Sequence, residues 1–179
     1  MSVARVQNSR EKSEILIVPI DIDHYVDFII AAHRETFQLT FRSDITDEFL
    51  KNELALARTY TAHDGDSVIG AFIGNEIAGH AVLETRSRAD NMWIGWVHFY
   101  YVAPQFRRQG VGLQLVRYST EYFRALGLKE FRLRVGESNK AAQAFYSGAG
   151  FTRVLEGDRI SLNSVKEFMM VFDITRNDM

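Results

Sequence analysis

The 179-residue chain contains no cysteine, which excludes a disulfide framework, a thiol nucleophile and a cysteine-based zinc site. No apolar run approaches the ~20 residues of a membrane span, and the polar opening MSVARVQNSREKSE lacks the apolar segment of a secretory signal. An excess of one charge is missing too. The formal net charge of -2 gives no global attraction for nucleic acid, so an anion site has to be built locally. Neither GxGxxG nor GxxxxGK(S/T) occurs, so the common dinucleotide and nucleotide fingerprints are absent. Internal repeats, low-complexity tracts and linker-like stretches are absent as well. These absences lead to the expectation of a folded cytoplasmic protein with no membrane partner, no nucleic-acid partner and no metal. With 46% hydrophobic and 25% charged residues the composition is ordinary for a globular chain. The length suits one full core rather than two. The reading is a flexible N-terminus over residues 1–13 and a single domain over 14–179.

What is present divides into a short opening strand, two helices and then a sheet with further helices. Ile15, Ile17 and Val18 mark a strand stopped by Pro19. Tyr25, Phe28, Ile29 and Ala32 fall at helical spacing, as do Ile45, Phe49, Leu56 and Tyr60. The acidic residues of these helices and their flanks (Asp21, Asp23, Asp27, Glu35, Asp44, Asp47, Glu48) read as a solvated face, with a lip for a cationic acceptor as the alternative. Residues 67–73 and 77–85 form two apolar strands around Gly74-Asn75-Glu76, a hairpin. A long aromatic strand follows over 93–102. Val111, Leu115, Tyr118, Tyr122 and Leu126 predict an amphipathic helix with Gly127 as its stop, its apolar face against the sheet. Phe131, Leu133 and Val135 alternate with Arg132 and Arg134, a strand with one buried face. Asn139 caps a short helix carrying Ala142, Phe145, Tyr146 and Ala149. Gly150-Phe151 ends that helix, and two last strands span 152–160 and 165–174. The fold class is therefore a mixed α/β sheet in one domain.

The chemistry concentrates in Tyr100 to Gly112, YYVAPQFRRQGVG. A strand runs into a basic, glycine-bearing turn and then a helix. Without Cβ atoms, Gly110 and Gly112 let backbone N–H groups close on an anion. Arg107 and Arg108 add charge, and the helix from Val111 adds the positive end of its dipole. This is the pattern of a phosphate cradle.

Together with Val102-Ala103-Pro104 before it, Asn139 after the next strand and Ala144-Phe145-Tyr146 with Gly148-Ala149-Gly150-Phe151 behind, the turn resembles the Gcn5-related N-acetyltransferase (GNAT) superfamily over roughly residues 67–174. The resemblance implies a splayed, mostly antiparallel sheet flanked by about four helices, with acetyl-CoA as co-substrate. Carried over by position, Arg107, Arg108, Gln109, Gly110, Val111 and Gly112 hold the pyrophosphate. Tyr100, Tyr101 and Val102 pair with the pantetheine arm as an added strand, and Asn139 helps to hold that arm. Tyr146 corresponds to the general acid for the departing thiolate, a reading that Asn139 seven residues earlier and Gly150-Phe151 behind it favour over a packed core aromatic.

The reaction implied is direct transfer of an acetyl group to a primary amine of a small molecule or peptide. Many members carry a glutamate on the fourth strand, six residues before the proline; here that position is His98, a base near neutral pH or a plain strand histidine. Glu84, His80 and Glu35 compete for that role. His80 and His98 alone do not make a metal site. A non-catalytic acyl-CoA-binding module on the same fold is the alternative to an enzyme. An RNA-binding reading through Arg107, Arg108, Arg132 and Arg134 is disfavoured by the net charge. Trp93 and Trp96 mark a homodimer surface if they face solvent.

Overall fold

The computed structural model describes residues 14–88, 90, 92–161 and 164–176. The flexible segment expected over 1–13 lies outside them. The elements run β1 (Ile15–Pro19), α1 (Val26–Phe41), α2 (Asp47–His63), β2 (Val68–Ile73), β3 (Glu76–Ser87), β4 (Trp93–Val102), α3 (Val111–Ala125), β5 (Glu130–Gly136), α4 (Lys140–Gly148), β6 (Thr152–Ile160) and β7 (Lys166–Asp173). They form one seven-stranded sheet in the order β1-β2-β3-β4-β5-β7-β6. Neighbours are antiparallel except β4 and β5, which are parallel and joined through α3. The mixed, mostly antiparallel sheet with four helices is the architecture expected from the sequence.

Local chemistry sets the boundaries. The β2–β3 hairpin turns on Gly74 and Asn75 alone, with Gly74 at φ +61, and Glu76 already belongs to β3. Thr46 caps α2 by accepting from the Phe49 N–H at 3.2 Å. Asn139 caps α4 in the same way, its Oδ1 3.1 Å from the Ala142 N–H. At the far end of α4, Gly150 adopts φ +99, and the Phe151 N–H reaches back to the Tyr146 carbonyl at 3.0 Å. The Gly150-Phe151 pair thereby closes the helix directly on Tyr146.

The sheet buries both faces. On one face, α3 and α4 cover Leu83, Val97, Phe131, Leu133, Met170 and Phe172. Phe131 is fully buried and sits 5.2 Å from Phe123, 4.8 Å from Phe172 and 5.4 Å from Phe151 between ring centroids. Burial of such a side chain is worth up to about 3 kcal/mol. On the opposite face, α1 and α2 bring Ile29, Leu50, Leu54 and Ala57 onto Val68 and Val82. Ile94, Trp96, Met169 and Val171 form a smaller cluster of strand residues.

The expected apolar face of α3 needs correction. Leu126 is 48% exposed, and Tyr118 and Tyr122 are only partly buried. Their hydroxyls donate to the Asp66 carbonyl (3.3 Å) and the Asp64 carboxylate (2.5 Å). The fully buried stripe instead contains Val111, Leu115, Val116, Ser119, Thr120 and Phe123. Ser119 and Thr120 enter the core because each hydroxyl donates to the carbonyl one turn back, at 2.9 and 2.8 Å, so no polar group is left unpaired.

Two irregularities of β4 position the site. First, β4 and β5 pair only at Gly95–Phe131 and Trp96–Arg132, after which the strands part. A Cβ on Gly95 would lie 2.6 Å from the Phe131 Cβ, so glycine is what allows that last approach. Second, the register with β3 slips: Val82 faces Phe99 while Leu83 faces Val97, leaving His98 as the extra residue of a β-bulge. The bulge changes side-chain parity, so Val97 and Tyr100, three residues apart, both pack toward the α3/α4 core.

Candidate active site

The turn after β4 presents a run of backbone N–H groups. Gly110 at φ +93 and Arg108 at φ +64 bend the chain into α3. The first internal acceptor bond of that end is the Gln114 N–H to the Gly110 carbonyl. The N–H groups of Arg108, Gln109, Gly110, Val111, Gly112 and Leu113 have no acceptor among the described residues. Six consecutive unpaired donors at a helix N-terminus match the acceptors of a diphosphate. Gly112 serves packing as well as approach, since a Cβ there would lie 2.9 Å from the Phe145 ring.

Arg107 has a different task from the charge donor expected at this turn. Its Nε donates to the Val102 carbonyl at 2.9 Å and its guanidinium pairs with Glu35 at 2.5 Å. The Tyr101 hydroxyl donates to the same carboxylate at 2.6 Å. Glu35 is therefore a strut from α1 to the strand exit and the cradle, not part of a solvated face. Other acidic residues of the expected lip do lie in surface contacts, such as Asp23 with Arg58 and Asp47 with Arg34. Arg108 and Gln109 remain exposed on the turn, the Gln109 amide donating to the Gln105 carbonyl.

Tyr146 and Tyr100 face the α3/α4 side of the region where β4 and β5 part. Their ring centroids are 6.4 Å apart, and Phe145 and Phe151 each lie 5.4 Å from Tyr146. The Tyr100 hydroxyl donates to Ser119 Oγ at 2.7 Å, whereas that of Tyr146 makes no hydrogen bond to any described residue. Burial pushes the Tyr146 phenol above its usual range, so it stays protonated near neutrality and is a donor in search of an acceptor. Asn139 keeps its Oδ1 on the cap and leaves its amide N–H groups without a described acceptor.

On the other face the bulge aims His98 at a charged group. Its Nε2 lies 2.8 Å from Glu84 and 3.2 Å from Arg86, and Arg86 also pairs with Glu84. The Tyr60 ring lies 4.8 Å away between centroids. Burial lowers the imidazole pKa; Glu84 offsets part of that, while the Arg86 charge adds to it. His98 is thus held neutral near pH 7, able to accept a proton. Glu84 is a poorer base: burial raises its carboxyl, but the hydrogen bonds from Arg86 and His98 outweigh that and hold it below its usual range. His80 is fully buried with both ring nitrogens unpaired, packed against Phe28, His33 and Phe99, and burial pushes its pKa down to about 3. Of the four base candidates, only His98 with Glu84 borders the parted strands. The Glu84 and Arg86 partnership was available from their i, i+2 spacing on β3; Arg159, which lines the same recess from β6, carried no local signal.

Trp96 is buried, with the Arg86 guanidinium 4.4 Å from its ring, so of the two expected interface tryptophans only Trp93, 59% exposed, faces solvent. Among the described residues, no group of three or more His, Asp or Glu side chains stands where it would hold a metal ion, and no helix is long and apolar enough to cross a membrane.

Known proteins resemble this chain in sequence and in fold. The model of the acetyltransferase (GNAT) family matches residues 28–151. An uncharacterized N-acetyltransferase of Archaeoglobus fulgidus is 27% identical over 141 residues, covering 76% of this chain and 90% of that one. An aminoglycoside N(6')-acetyltransferase type 1 of Klebsiella aerogenes is 37% identical over 84 residues, 45% of this chain and 55% of that one. The structure of yncA from Salmonella typhimurium, solved with acetyl-CoA, superposes with a TM-score of 0.71 at 17% identity, covering 93% of this chain and 98% of that one.

Proposed function

The chain belongs to the acetyltransferase (GNAT) family, and on that premise we propose that it transfers the acetyl group of acetyl-CoA to a primary amine of a small molecule or peptide by direct attack. One observation carries this reading: six unpaired backbone N–H groups at the start of α3 stand at the end of the same strand that parts from β5 beyond Trp96. A diphosphate fits the first feature and an extended arm fits the second.

In this reading the 108–113 backbone binds the pyrophosphate, and Arg107, through Glu35 and the Val102 carbonyl, fixes the angle at which the turn leaves β4. The open edge of β4, including Tyr100 and Tyr101, takes the pantetheine arm as an added strand, with the Asn139 amide across the gap. Bound acetyl-CoA supplies a thioester, and the enzyme holds an amine beside it, which replaces a chance encounter with an oriented one. A backbone N–H of β4 at the bulge is the donor for the carbonyl oxygen that gains charge. An alkylamine with an unperturbed pKa of ~10.4 is free base in only about one molecule in 10³ at neutral pH. His98 accepts the ammonium proton directly or through a water and shares it with Glu84. Tyr146 offers its unpaired hydroxyl to the departing sulfur.

Release of free CoA thiol from acetyl-CoA over an amine panel tests this, with no protein cysteine to disturb the readout. Turnover with one acceptor class, lowered roughly 10²-fold in kcat by Tyr146→Phe with CoA affinity unchanged, is the expected result. Binding of acetyl-CoA without turnover on any amine would replace the enzyme with a binding module.

A further inference from the structure

The face of the parted sheet opposite Tyr146 holds a recess of about 380 Å³ lined by Arg86, Trp96, His98, Arg134, Arg159 and Glu167. That volume suits a small molecule. Three guanidinium groups converge on it. Two of them are compensated: Arg86 by Glu84, and Arg159 by Glu167 at 2.6 Å. Arg134 is not. It donates from one terminal nitrogen to the Gly157 carbonyl and lies 5.7 Å from the Trp96 ring centroid, and its remaining N–H groups have no acceptor among the described residues. The nearby Asp158 carboxylate is held by Arg153.

The strands explain how the charge gathers. Arg134 is two residues beyond Arg132, the last position at which β5 still pairs with β4, so it projects where the sheet has opened. On β6, pairing with β7 is interrupted between Val154 and Arg159, and within that stretch the Gly157 carbonyl accepts from Arg134; pairing resumes at Arg159, which lies opposite Glu167 and bonds to it. Desolvation, then the Arg159 and Arg86 charges, hold the Arg134 guanidinium below its usual range, while Glu167 and Asp158 offset only part of this. A half-buried guanidinium with free donors and cationic neighbours gains most from an incoming anion.

We propose that this recess selects an acceptor carrying an anionic group, a carboxylate or a phosphate, beside its amine, with Arg134 as the residue that grips the anion and His98 next to the amine. This names the acceptor class of the transferase reading and rests on it. A planar guanidinium binds either anion through two N–H groups, which a lysine does not reproduce.

The test is calorimetric binding of matched amines to the full chain saturated with CoA, followed by acetyl transfer on the same panel. The pairs are glutamate with its side-chain amide, γ-aminobutyrate with γ-aminobutyramide, and phosphoethanolamine with ethanolamine; spermidine serves as the cationic arm. The expected result is at least tenfold tighter binding of the anionic member, with the better anion separating a carboxylate site from a phosphate site. Arg134→Gln should abolish that gap and leave CoA affinity within twofold, and Arg134→Lys should retain only part of it. Should Arg134→Gln fail to fold, the wild-type comparison of each pair still decides. Equal binding of anionic and neutral partners, preference for spermidine, or no binding of any anionic amine overturns the proposal even if acetyl transfer proceeds. Anion-selective binding without any transfer leaves the recess as described and removes the transferase reading.

Discussion

The two faces of the parted sheet solve opposite problems. Toward α3 and α4, Tyr146 and Tyr100 sit among the apolar and aromatic side chains Phe145, Phe151 and Phe131, and the proposed ligand contacts come from backbone N–H groups of one turn. Toward α1 and α2, His98 sits among Arg86, Glu84, Arg134, Arg159 and Glu167, side chains drawn from five strands. In the proposed reading, a donor common to the family is met by backbone geometry, which tolerates change in side chains, and an acceptor peculiar to this protein is met by side chains, which a few substitutions can re-aim.

The contrast can be broken at four points. Phe131→Ala removes the ring at the centre of the apolar face and should cost about 3–5 kcal/mol, read from urea unfolding; a loss under about 1 kcal/mol would mean that this face is not the stabilising one. The opposite face should weaken in acid. Burial pushes His33 down to about 4, and His80 down to about 3, below an unfolded value of 6.5. The unfolded chain therefore takes up these protons first, so stability is complete above pH 6.5 and falls as pH drops toward 4 and then 3. The loss is on the order of 3 kcal/mol per histidine. Urea midpoints measured from pH 7 to 4 should fall, and His80→Leu should remove its share; a flat profile would contradict the burial.

At the cradle, Gly110→Val places a β-branched residue at φ +93. It should weaken CoA binding about 100-fold without changing the affinity for anionic amines, since a non-glycine residue is strained there and the N–H groups turn away. Calorimetry with both ligands separates the two faces; equal losses would show that they are one coupled unit. The smallest effect belongs to His98, the proposed base. His98→Gln should lower kcat/KM about tenfold and abolish the acid limb expected of the wild type below pH 6.5, because burial keeps the folded imidazole below that value. A variant with an unchanged pH profile would leave His98 as a positioning residue for Glu84 and Arg86.

Local patterns in the chain were enough for most of the architecture. The alternation Phe131, Leu133, Val135 fixed which face of β5 is buried, and Gly74, Asn139 and Gly150 marked turns and caps that occur where expected. The α3 face was misjudged because Ser119 and Thr120 are polar by composition, yet their hydroxyls bond within the helix and let them lie against the sheet. Arg107 and Arg108 were indistinguishable as adjacent arginines; only the approach of Glu35, 72 residues away, separates them.

The sequence by itself determined the cradle, because a turn with glycine at the left-handed position followed by a helix presents its N–H groups whatever surrounds it. It determined the caps and the apolar periods for the same reason: each depends on neighbours within a few residues. Tertiary structure alone decided that His98 would be the bulged residue, that β4 and β5 would part after Trp96, and that Arg86, Arg134 and Arg159 would meet over one recess. Those features depend on register between strands remote in the chain, and a shift of one residue in that register turns a side chain to the other face.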